Sequence, residues 1–409
     1  MCGRKSFRFP LRVGLTQIRI TKDRKLLLLG PAPFFYIFRM STLTPPPLHI
    51  ALIGTGRVAK GFVRDIAAFG HEISGFVSAN PDRITEFSAQ TGLPGFTSLN
   101  ALLEAVPRTS AAVVVNANHQ HFTSTVEALR AGLHVLCEKP MAVSIGESET
   151  MVRESERSAG SLQVNFEYIH SKMPRRLLEL CREGFFGELV SASCTDSRGH
   201  WWSDPPDADP DSQTRLRRDR GGGTVFHCGI HQLDMLRTFF GGFSKVQAFR
   251  SAKNSLPFYP NDVPDHVFVA LETGDGRAVS LEIFHNRAPC WYRRHPAAAV
   301  DWASVPGHEF RLSLMGTEAS CLADFYGAKI HLFRYDHAAK DTVLERTEDF
   351  AFDAQNELHH DMTGFLGKWL QSVSIGNGPL VPATKALETM RLAFAVEQSI
   401  AVGGSVALS

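Results

Sequence analysis

A glycine-rich turn separates an apolar strand pattern from a helical pattern near residue 54 of this chain. The turn reads Gly54-Thr55-Gly56-Arg57-Val58-Ala59 and directly follows Ile50-Ala51-Leu52-Ile53. Gly54 would permit a tight turn, Gly56 would let the backbone approach a pyrophosphate, and the small Ala59 would let the helix pack closely on its strand. The helix N-terminus would add free amides and the positive end of its dipole. The turn therefore predicts a dinucleotide site, although an ordinary strand–helix connection can share this motif.

Strand and helix patterns alternate from His49 onward, which is typical of a parallel sheet covered by helices on both faces. The predicted strands are residues 49–53, 72–77, 111–115, 134–137 and 162–166, and the predicted helices are residues 58–69, 81–91, 122–131 and 145–158. A doubly wound sheet of this kind binds ligands at the carboxyl ends of its strands. Gly54, Asn116 and Glu138 all follow such ends.

The pattern changes after about residue 171, where extended segments follow one another with few helices between them. The predicted helices are residues 172–183, a helix from near Gly223, and residues 356–372 and 382–400; the predicted strands are residues 188–194, 245–250, 266–271, 278–284, 309–314 and shorter ones to about Leu344. Consecutive strands predict an open, mostly antiparallel sheet. The predicted fold class is α/β, with an N-terminal extension (residues 1–47), a Rossmann NAD(P)-binding domain (residues 48–170) and a second α/β domain (residues 171–409).

The composition narrows the kinds of partner. A net charge of +1 over 409 residues gives no bulk attraction for nucleic acid or for an anionic membrane, so a small neutral or mildly polar ligand fits better. The seven cysteines are odd in number and include no C-x-x-C pair, which indicates neither a disulfide framework nor a zinc site. We therefore expect no metal and a reducing compartment, the cytoplasm.

The N-terminal extension differs from the rest of the chain. Before Leu26, eight basic side chains stand against the single acid Asp23, and an apolar stretch broken by Gly30, Pro31 and Pro33 follows. This stretch is too short for a membrane span, which needs about 20 apolar residues. A signal or transit peptide is one interpretation of a basic, acid-poor start. We favour another, in which the extension is disordered or is upstream sequence translated ahead of a start at Met40.

A second motif, Glu138-Lys139-Pro140, directly follows the apolar segment Val135-Leu136-Cys137. Lys139 would leave its strand where a nicotinamide reacts. An ammonium there stabilises the alkoxide that forms as a hydroxyl loses its proton. Pro140 would fix the backbone after the lysine, and Glu138 would orient the ammonium or the nicotinamide ribose. The alternative is a surface cation at the end of a strand.

These residues together resemble the family named for glucose-fructose oxidoreductase, inositol dehydrogenase and the rhizopine-catabolism protein MocA. The resemblance runs from about His49 to the C-terminus and rests on the glycine turn, residues 121–142, Asn165-Phe166-Glu167-Tyr168 and residues 221–241. It implies a Rossmann domain joined to a domain for substrate binding and oligomerisation with a broad open sheet. It also implies NAD(P)-dependent chemistry on sugars or polyols, and homodimers or tetramers.

The resemblance makes Lys139 the catalytic lysine and His231 the proton acceptor or donor. An imidazole with an ordinary pKa near ~6.5 suits proton exchange at neutral pH, although a lone histidine is more often a packing or surface residue. His227 departs from the pattern, because inositol dehydrogenase-like members carry an aspartate there. One helical turn before His231, it would face the same cavity and could bind a substrate hydroxyl, but it supplies no fixed negative charge.

The cofactor prediction depends on Ser78. It stands about twenty residues beyond the glycines, where an acid commonly accepts the ribose 2′-hydroxyl of NAD. Ser78 with the nearby Arg83 would accept a 2′-phosphate more readily than a carboxylate would, since like charges repel. We therefore expect NAD or NADP, with NADP favoured. The other predicted cofactor contacts are Gly54, Thr55, Gly56, Arg57, Val58, Asn116, Asn118, His121, Glu138 and Lys139.

The predicted substrate contacts are Tyr168, Lys172, His227, Trp201 and Trp202. The two tryptophans offer faces on which a sugar ring could stack, and they could equally anchor a loop or an oligomer contact. The predicted function is an oxidoreductase that moves hydride between nicotinamide and a hydroxyl or ketone of a sugar, polyol or related cyclic compound. Two alternatives stay open: a glycosidase that oxidises its substrate transiently and returns the hydride, and a sugar sensor without turnover.

Overall fold

The computed structural model describes residues 17–20, 26–29, 36–38, 46–56, 58–198, 217–254, 262–285, 309–351 and 358–408. Met1–Pro46 and Pro47–Ser409 are two separate compact units. In the first unit, three short strands pair antiparallel in chain order: Gln17–Ile20 (β1), Leu26–Leu29 (β2) and Tyr36–Phe38 (β3). Whether this unit belongs to the mature protein stays a prediction, as do the predicted domain boundaries.

A six-stranded parallel sheet begins the second unit. Its strands are His49–Ile53 (β4), Glu72–Val77 (β5), Gly95–Phe96 (β6), Ala111–Val114 (β7), His134–Cys137 (β8) and Leu162–Val164 (β9). They lie in the order β6-β5-β4-β7-β8-β9, and all neighbours are parallel. All of β7 is buried, which is the pattern of a strand covered on both faces. The predicted Rossmann-type sheet is confirmed.

The connecting helices are Ala59–Ala68 (α1), Pro81–Thr91 (α2), Leu99–Ala105 (α3), His121–Arg130 (α4) and Ile145–Arg157 (α5). Side chains of Asn80, Ser98 and Ser144 cap the starts of α2, α3 and α5 by accepting backbone N–H groups. Strand β6 and helix α3 were not predicted from the sequence, because two and seven residues are too short to establish a clear period.

The rest of the second unit contains a nine-stranded sheet. Its strands are Leu189–Ser197 (β10), Lys245–Arg250 (β11), His266–Glu272 (β12), Ala278–Phe284 (β13), Glu309–Gly316 (β14), Ala319–Asp324 (β15), Lys329–Asp336 (β16), Asp341–Asp349 (β17) and Val406–Ala407 (β18). They lie in the order β17-β16-β15-β14-β10-β13-β12-β11-β18. Only the β10–β13 pair is parallel among these described strands. The predicted open, mostly antiparallel sheet is confirmed.

Four further helices complete the described second unit: Lys172–Arg182 (α6), Ile230–Phe240 (α7), Met362–Ser374 (α8) and Ala383–Val402 (α9). The predicted helix near Gly223 begins as a π-helical turn, Val225–Gly229, that runs into α7. Helix α8 covers one face of the parallel sheet, where Trp369 and Leu366 pack in one cluster with Ile50. Within the described ranges, none of the helices combines the length and the apolar character that crossing a bilayer requires.

Candidate active site

The glycine turn has the geometry that its sequence predicts. Gly54 has a φ of +117°, and a Cβ there would lie 2.5 Å from the backbone nitrogen of Asn116. Only glycine fits such a position, because the left-handed backbone and the close approach of the neighbouring strand both exclude a side chain. At Gly56 an added Cβ would meet only the oxygen of Val115, at 3.9 Å. The turn is therefore packed at Gly54 and open at Gly56.

Two features at this turn fit a dinucleotide. Helix α1 starts without a side-chain cap and without an acid in its first turn, so no side chain competes with an anion for the positive end of the helix dipole. The side-chain Nδ2 of Asn116 donates to Ser124 Oγ at 2.8 Å. The side-chain Oδ1 of Asn116 is buried and has no hydrogen-bond partner among the described residues. Thr55 is half-buried and Val58 is exposed, and Arg57 lies outside the described residues.

The end of β5 carries the predicted ribose contacts. Ser78 Oγ accepts from the amide of Asn80 at 3.3 Å. The side chain of Asn80 in turn accepts from the main-chain amides of Asp82 and Arg83 and so caps α2. The carboxylate of Asp82 lies in the first turn of α2, where it complements the helix dipole. The Arg83 guanidinium bonds Glu86 at 3.2 Å on the surface.

Lys139 leaves the end of β8 and reaches into the second half of the unit. Its Nζ donates to the backbone oxygen of His227 at 2.7 Å. The carboxylate of Glu138 accepts from the Lys139 amide at 3.1 Å and from Asn165 Nδ2 at 2.6 Å, and burial raises the pKa of Glu138. Glu138 therefore fixes the main chain of the lysine, and a main-chain carbonyl orients the ammonium.

His121 lies behind this loop and is 1% exposed. Its Nδ1 is 2.7 Å from the oxygen of Pro140, and its Nε2 is 3.1 Å from the oxygen of Asn116. Burial lowers the pKa of His121 to about 4, so the ring is neutral and has one N–H to donate. The imidazole therefore ties the loop after β7 to the loop that carries Lys139, and any effect on a cofactor would be indirect.

Asn118 connects the two halves of the unit. Its Nδ2 donates to the oxygen of Gly221 at 3.0 Å. Gly221 has a φ of +74°, and a Cβ there would lie 2.8 Å from Val143 Cγ1. The glycine run before the π-helical turn is thus held against the Rossmann-type sheet.

His231 lies in the first turn of α7 and is 3% exposed. The ring of Tyr168 stacks on it with centroids 4.0 Å apart and planes 11° apart. Burial lowers the pKa of His231 well below its usual range, and the positive charge of Lys139 acts in the same direction. The imidazole is therefore neutral near neutral pH, which leaves a lone pair on one ring nitrogen to accept a proton.

His227 lies within the π-helical turn and is half-buried. Its main-chain oxygen, which receives the Lys139 ammonium, stands four residues before His231. Turns of this kind occur often at functional sites. The structure thus brings Lys139, His227 and His231 together.

Two groups of functional residues went unnoticed in the sequence. Glu167, 1% exposed, has its Oε1 2.9 Å from His360 Nδ1 and its Oε2 3.8 Å from His231 Nδ1. Glu167 stands in the motif Asn165-Phe166-Glu167-Tyr168, but His360 is almost 200 residues away, and no local spacing connects them.

The second group is a buried network around Arg198. Its guanidinium bonds Asp196 at 2.6 and 3.0 Å, Tyr326 Oη at 2.6 Å and Tyr168 Oη at 3.4 Å. Burial raises the pKa of Asp196, and the arginine opposes that shift. Gln232 Nε2 adds a bond to Asp196 at 2.7 Å. This network holds the tyrosine that stacks on the candidate catalytic histidine.

The remaining predicted residues are Lys172, Trp201 and Trp202. Lys172 is the first residue of α6 and is half-buried. Trp201 and Trp202 lie outside the described residues. Asp234, three residues after His231, bonds Arg237 at 3.1 Å and Thr389 at 2.6 Å and so ties α7 to α9. No group of three or more histidine, cysteine or acidic side chains in the described part of the chain is arranged to hold a metal ion.

The sequence matches two protein-family models. Residues 48–166 match the model described as "Oxidoreductase family, NAD-binding Rossmann fold". Residues 175–321 match the model described as "GFO/IDH/MocA C-terminal domain". The two matches together cover more than half of the chain and include Lys139, Glu138 and His231.

Curated relatives and solved structures agree with these matches. The chain is 29% identical over 189 residues to a 1,5-anhydro-D-fructose reductase from Ensifer adhaerens, covering 46% of this chain and just over half (54%) of that protein. It is 23% identical over 260 residues to the rhizopine catabolism protein MocA from Rhizobium meliloti, covering 63% of this chain and 75% of that protein. A levoglucosan dehydrogenase in complex with NADH and levoglucosan has the same fold, with a TM-score of 0.73, 19% identity, and coverage of 88% of this chain and 99% of that one.

Proposed function

The chain belongs to the oxidoreductase family of glucose-fructose oxidoreductase, inositol dehydrogenase and MocA, with an NAD-binding Rossmann fold, and from this we propose that it is an NAD(P)-dependent dehydrogenase or reductase. Its substrate would be a hydroxyl or ketone of a sugar, polyol or related cyclic compound. The observation that carries the proposal is the contact between the Lys139 ammonium and the main-chain oxygen four residues before His231.

Lys139 would act on the substrate oxygen. An ammonium has three donors, and the carbonyl of His227 occupies one of them. The other two can point at the oxygen whose negative charge develops as the hydroxyl is oxidised. Because Glu138 and His121 fix the main chain around the lysine, the ammonium would be oriented before substrate arrives.

His231 would exchange the hydroxyl proton. The neutral ring accepts it during oxidation, and the charged ring returns it during reduction. Tyr168 covers one face of the imidazole, and the Arg198 network holds the tyrosine. A bound nicotinamide supplies the hydride acceptor or donor. The chain's own residues would bind the dinucleotide through the open turn at Gly56, the start of α1 and Asn116.

NADP is the cofactor we propose over NAD. Ser78 carries no negative charge at the end of β5, and the guanidinium of Arg83 stands on the first turn of α2. The Arg83–Glu86 pair is half exposed, and such surface pairs are weak, so a 2′-phosphate could take the place of the carboxylate. Fluorescence titration with both reduced dinucleotides tests this: equal or tighter binding of NADH would contradict it.

The function is tested by kinetics on a panel of sugars and polyols, followed by the absorbance of the reduced nicotinamide. Lys139→Ala should lower kcat roughly 100-fold or more, the usual loss for one donor to a developing oxyanion. Lys329→Ala, which removes a surface ion pair with Asp349, should turn over like the parent. A Lys139→Ala enzyme as fast as the parent would refute the assigned role.

The same assay separates the alternatives. Sugar product released without net change of cofactor would indicate the glycosidase. Tight dinucleotide binding with no hydride transfer to any substrate would indicate the sensor.

We also propose that the protein is a cytoplasmic homo-oligomer. Cys137, Cys181, Cys194 and Cys321 are free thiols, and burial raises the pKa of Cys137 to about 12, so its thiol is unreactive. This suits a reducing compartment, and cell fractionation tests it. Exposed aromatic side chains on the outer face of the nine-stranded sheet, Phe249 and Phe268, support the oligomer.

A further inference from the structure

We propose that Glu167, oriented by His360, is a positioning residue that holds His231 in one tautomer and supplies the negative charge that the site lacks at His227. This inference rests on the proposed function, because it concerns the group that would exchange the substrate proton. It adds two residues, on different elements, to the candidate site.

The geometry places the Glu167 carboxylate between two imidazoles. Its side chain is 2% exposed, with Oε1 2.9 Å from Nδ1 of His360 and Oε2 3.8 Å from Nδ1 of His231. His360 stands at the rim with its side chain 38% exposed, whereas the side chain of His231 is 4% exposed. The bond to His360 therefore fixes one oxygen and leaves the other facing the buried ring.

The Nδ1 atom of His231 has no hydrogen-bond partner among the described residues, although it is buried. A donor left unpaired in the interior is costly, and a carboxylate nearby favours the tautomer whose N–H points at it. The 3.8 Å gap is longer than a hydrogen bond, and a small shift of either side chain closes it. Nε2 would then be the nitrogen that accepts the substrate proton.

Charge supports the same assignment. Burial disfavours ionisation of Glu167, but the interactions of the carboxylate with His231 and His360, including the hydrogen bond from His360, prevail and hold its pKa at about 2. Near neutral pH the group is thus a fixed negative charge. The charged and titratable groups that act on Glu167, His231 or both are Glu138, Lys139, Tyr168, His170, Arg198, Asp234 and His360.

The carboxylate would stabilise the imidazolium that forms when His231 takes the proton. Lys139 and Arg198 both oppose that positive charge, and burial opposes it most. The negative charge of Glu167 acts against all three and raises the pKa of the histidine. Without it, His231 would be a weaker base.

The first experiment needs neither cofactor nor turnover. In the dinucleotide-free protein, ¹⁵N NMR of the ring nitrogens at neutral pH should show His231 as the Nδ1–H tautomer. Glu167→Gln should shift the population toward Nε2–H, and His360→Gln should do so less strongly. A parent protein already in the Nε2–H form would overturn the proposal.

The second experiment uses kinetics in the direction of oxidation. Glu167→Gln should lower kcat about ten-fold or more, within the range that general base catalysis contributes, and should move the acidic limb of its pH profile to lower pH. KM should change little. His337→Gln, an exposed histidine 3.7 Å from Glu318, is the matched control and should leave kcat and pH profile unchanged.

A variant that does not fold, a failure of the proposed function and a failure of this inference would give different results. If Glu167→Gln does not fold, the rim variant His360→Gln still has to shift the His231 tautomer toward Nε2–H and to lower kcat, both by less than Glu167→Gln would. An unchanged tautomer and an unchanged kcat in His360→Gln, with Lys139→Ala inactive, would overturn the Glu167 role while leaving the proposed function intact.

Discussion

At the scale of single residues, the site depends on groups that act through the main chain. The side chain of Glu138 holds the amide of Lys139, the ring of His121 contacts the carbonyl of Pro140, and the ammonium binds the carbonyl of His227. Main-chain positions are fixed by the strands that precede them, so these contacts orient the lysine more rigidly than flexible surface ion pairs would.

Gly54 is the residue at which the addition of a single methyl group should have the largest effect on stability and on dinucleotide binding. Gly54→Ala would place a methyl group 2.5 Å from the nitrogen of Asn116 and would require a φ of +117°, so we expect loss of stability and of dinucleotide binding. Differential scanning fluorimetry and NADPH titration measure both. Gly61→Ala is the matched control: it lies in α1 with open space around it, and it should stabilise the helix by about 0.5–1 kcal/mol. Unchanged NADPH affinity in Gly54→Ala would contradict the assignment of the turn.

At the scale of elements, helix α8 completes the Rossmann-type half although it comes almost at the end of the chain. Trp369, Leu366 and Phe365 are buried in one cluster with strands β4 and β7. Thr363 Oγ1 also donates to Asp65 Oδ2 on α1 at 2.6 Å. The fold of the nucleotide-binding half therefore depends on a segment about 200 residues beyond β9.

The cap of α8 tests this dependence. Asp361 Oδ1 accepts from the amide of Gly364 at 2.7 Å, so Asp361→Ala should cost about 1 kcal/mol, the usual loss for an N-cap. Thermal unfolding should show a lower midpoint. Ser374→Ala, at the exposed end of the same helix, should change the free energy of unfolding by less than about 0.5 kcal/mol. Equal midpoints for the two variants would mean that the cap contributes nothing.

At the scale of the whole molecule, the outer face of the nine-stranded sheet is suited to pack against a second copy. Phe249 and Phe268 pair across β11 and β12 and are 53% and 40% exposed. A row of small side chains crosses four neighbouring strands on this face, in the register Ala270, Ser280, Ser193 and Ser313. Small residues let two sheets approach closely, and the exposed rings add apolar area.

The oligomer prediction follows from that face. Light scattering should give a mass of at least two chains for the parent protein, and Ser193→Arg should reduce it to one by placing a charged side chain in the centre of the row. Thr342→Arg, exposed on β17, adds the same charge away from the row and should leave the mass unchanged. A monomeric parent would refute the prediction.

Local patterns predicted a large part of this molecule. The bounds of β4, β5, β8, β11 and β13 follow from short apolar periods between turn residues, and α2 follows from its Asn80-Pro81 start. Strand β10 runs three residues further than predicted, because Thr195, Asp196 and Ser197 pair with both β13 and β14. Polar residues do not indicate a strand in the sequence when their partners are on distant segments.

The chain's residues alone determined the glycine turn, the strand that precedes Lys139 and the family of the fold, since each depends on neighbours within a few positions. Tertiary structure decided which groups surround the imidazole at His231. Glu167 and His360 meet across almost 200 residues, and Arg198 reaches Tyr326 across 128. Such contacts arise when strands and helices pack to bury apolar surface, and no period or spacing in the sequence records which polar side chains that packing brings together.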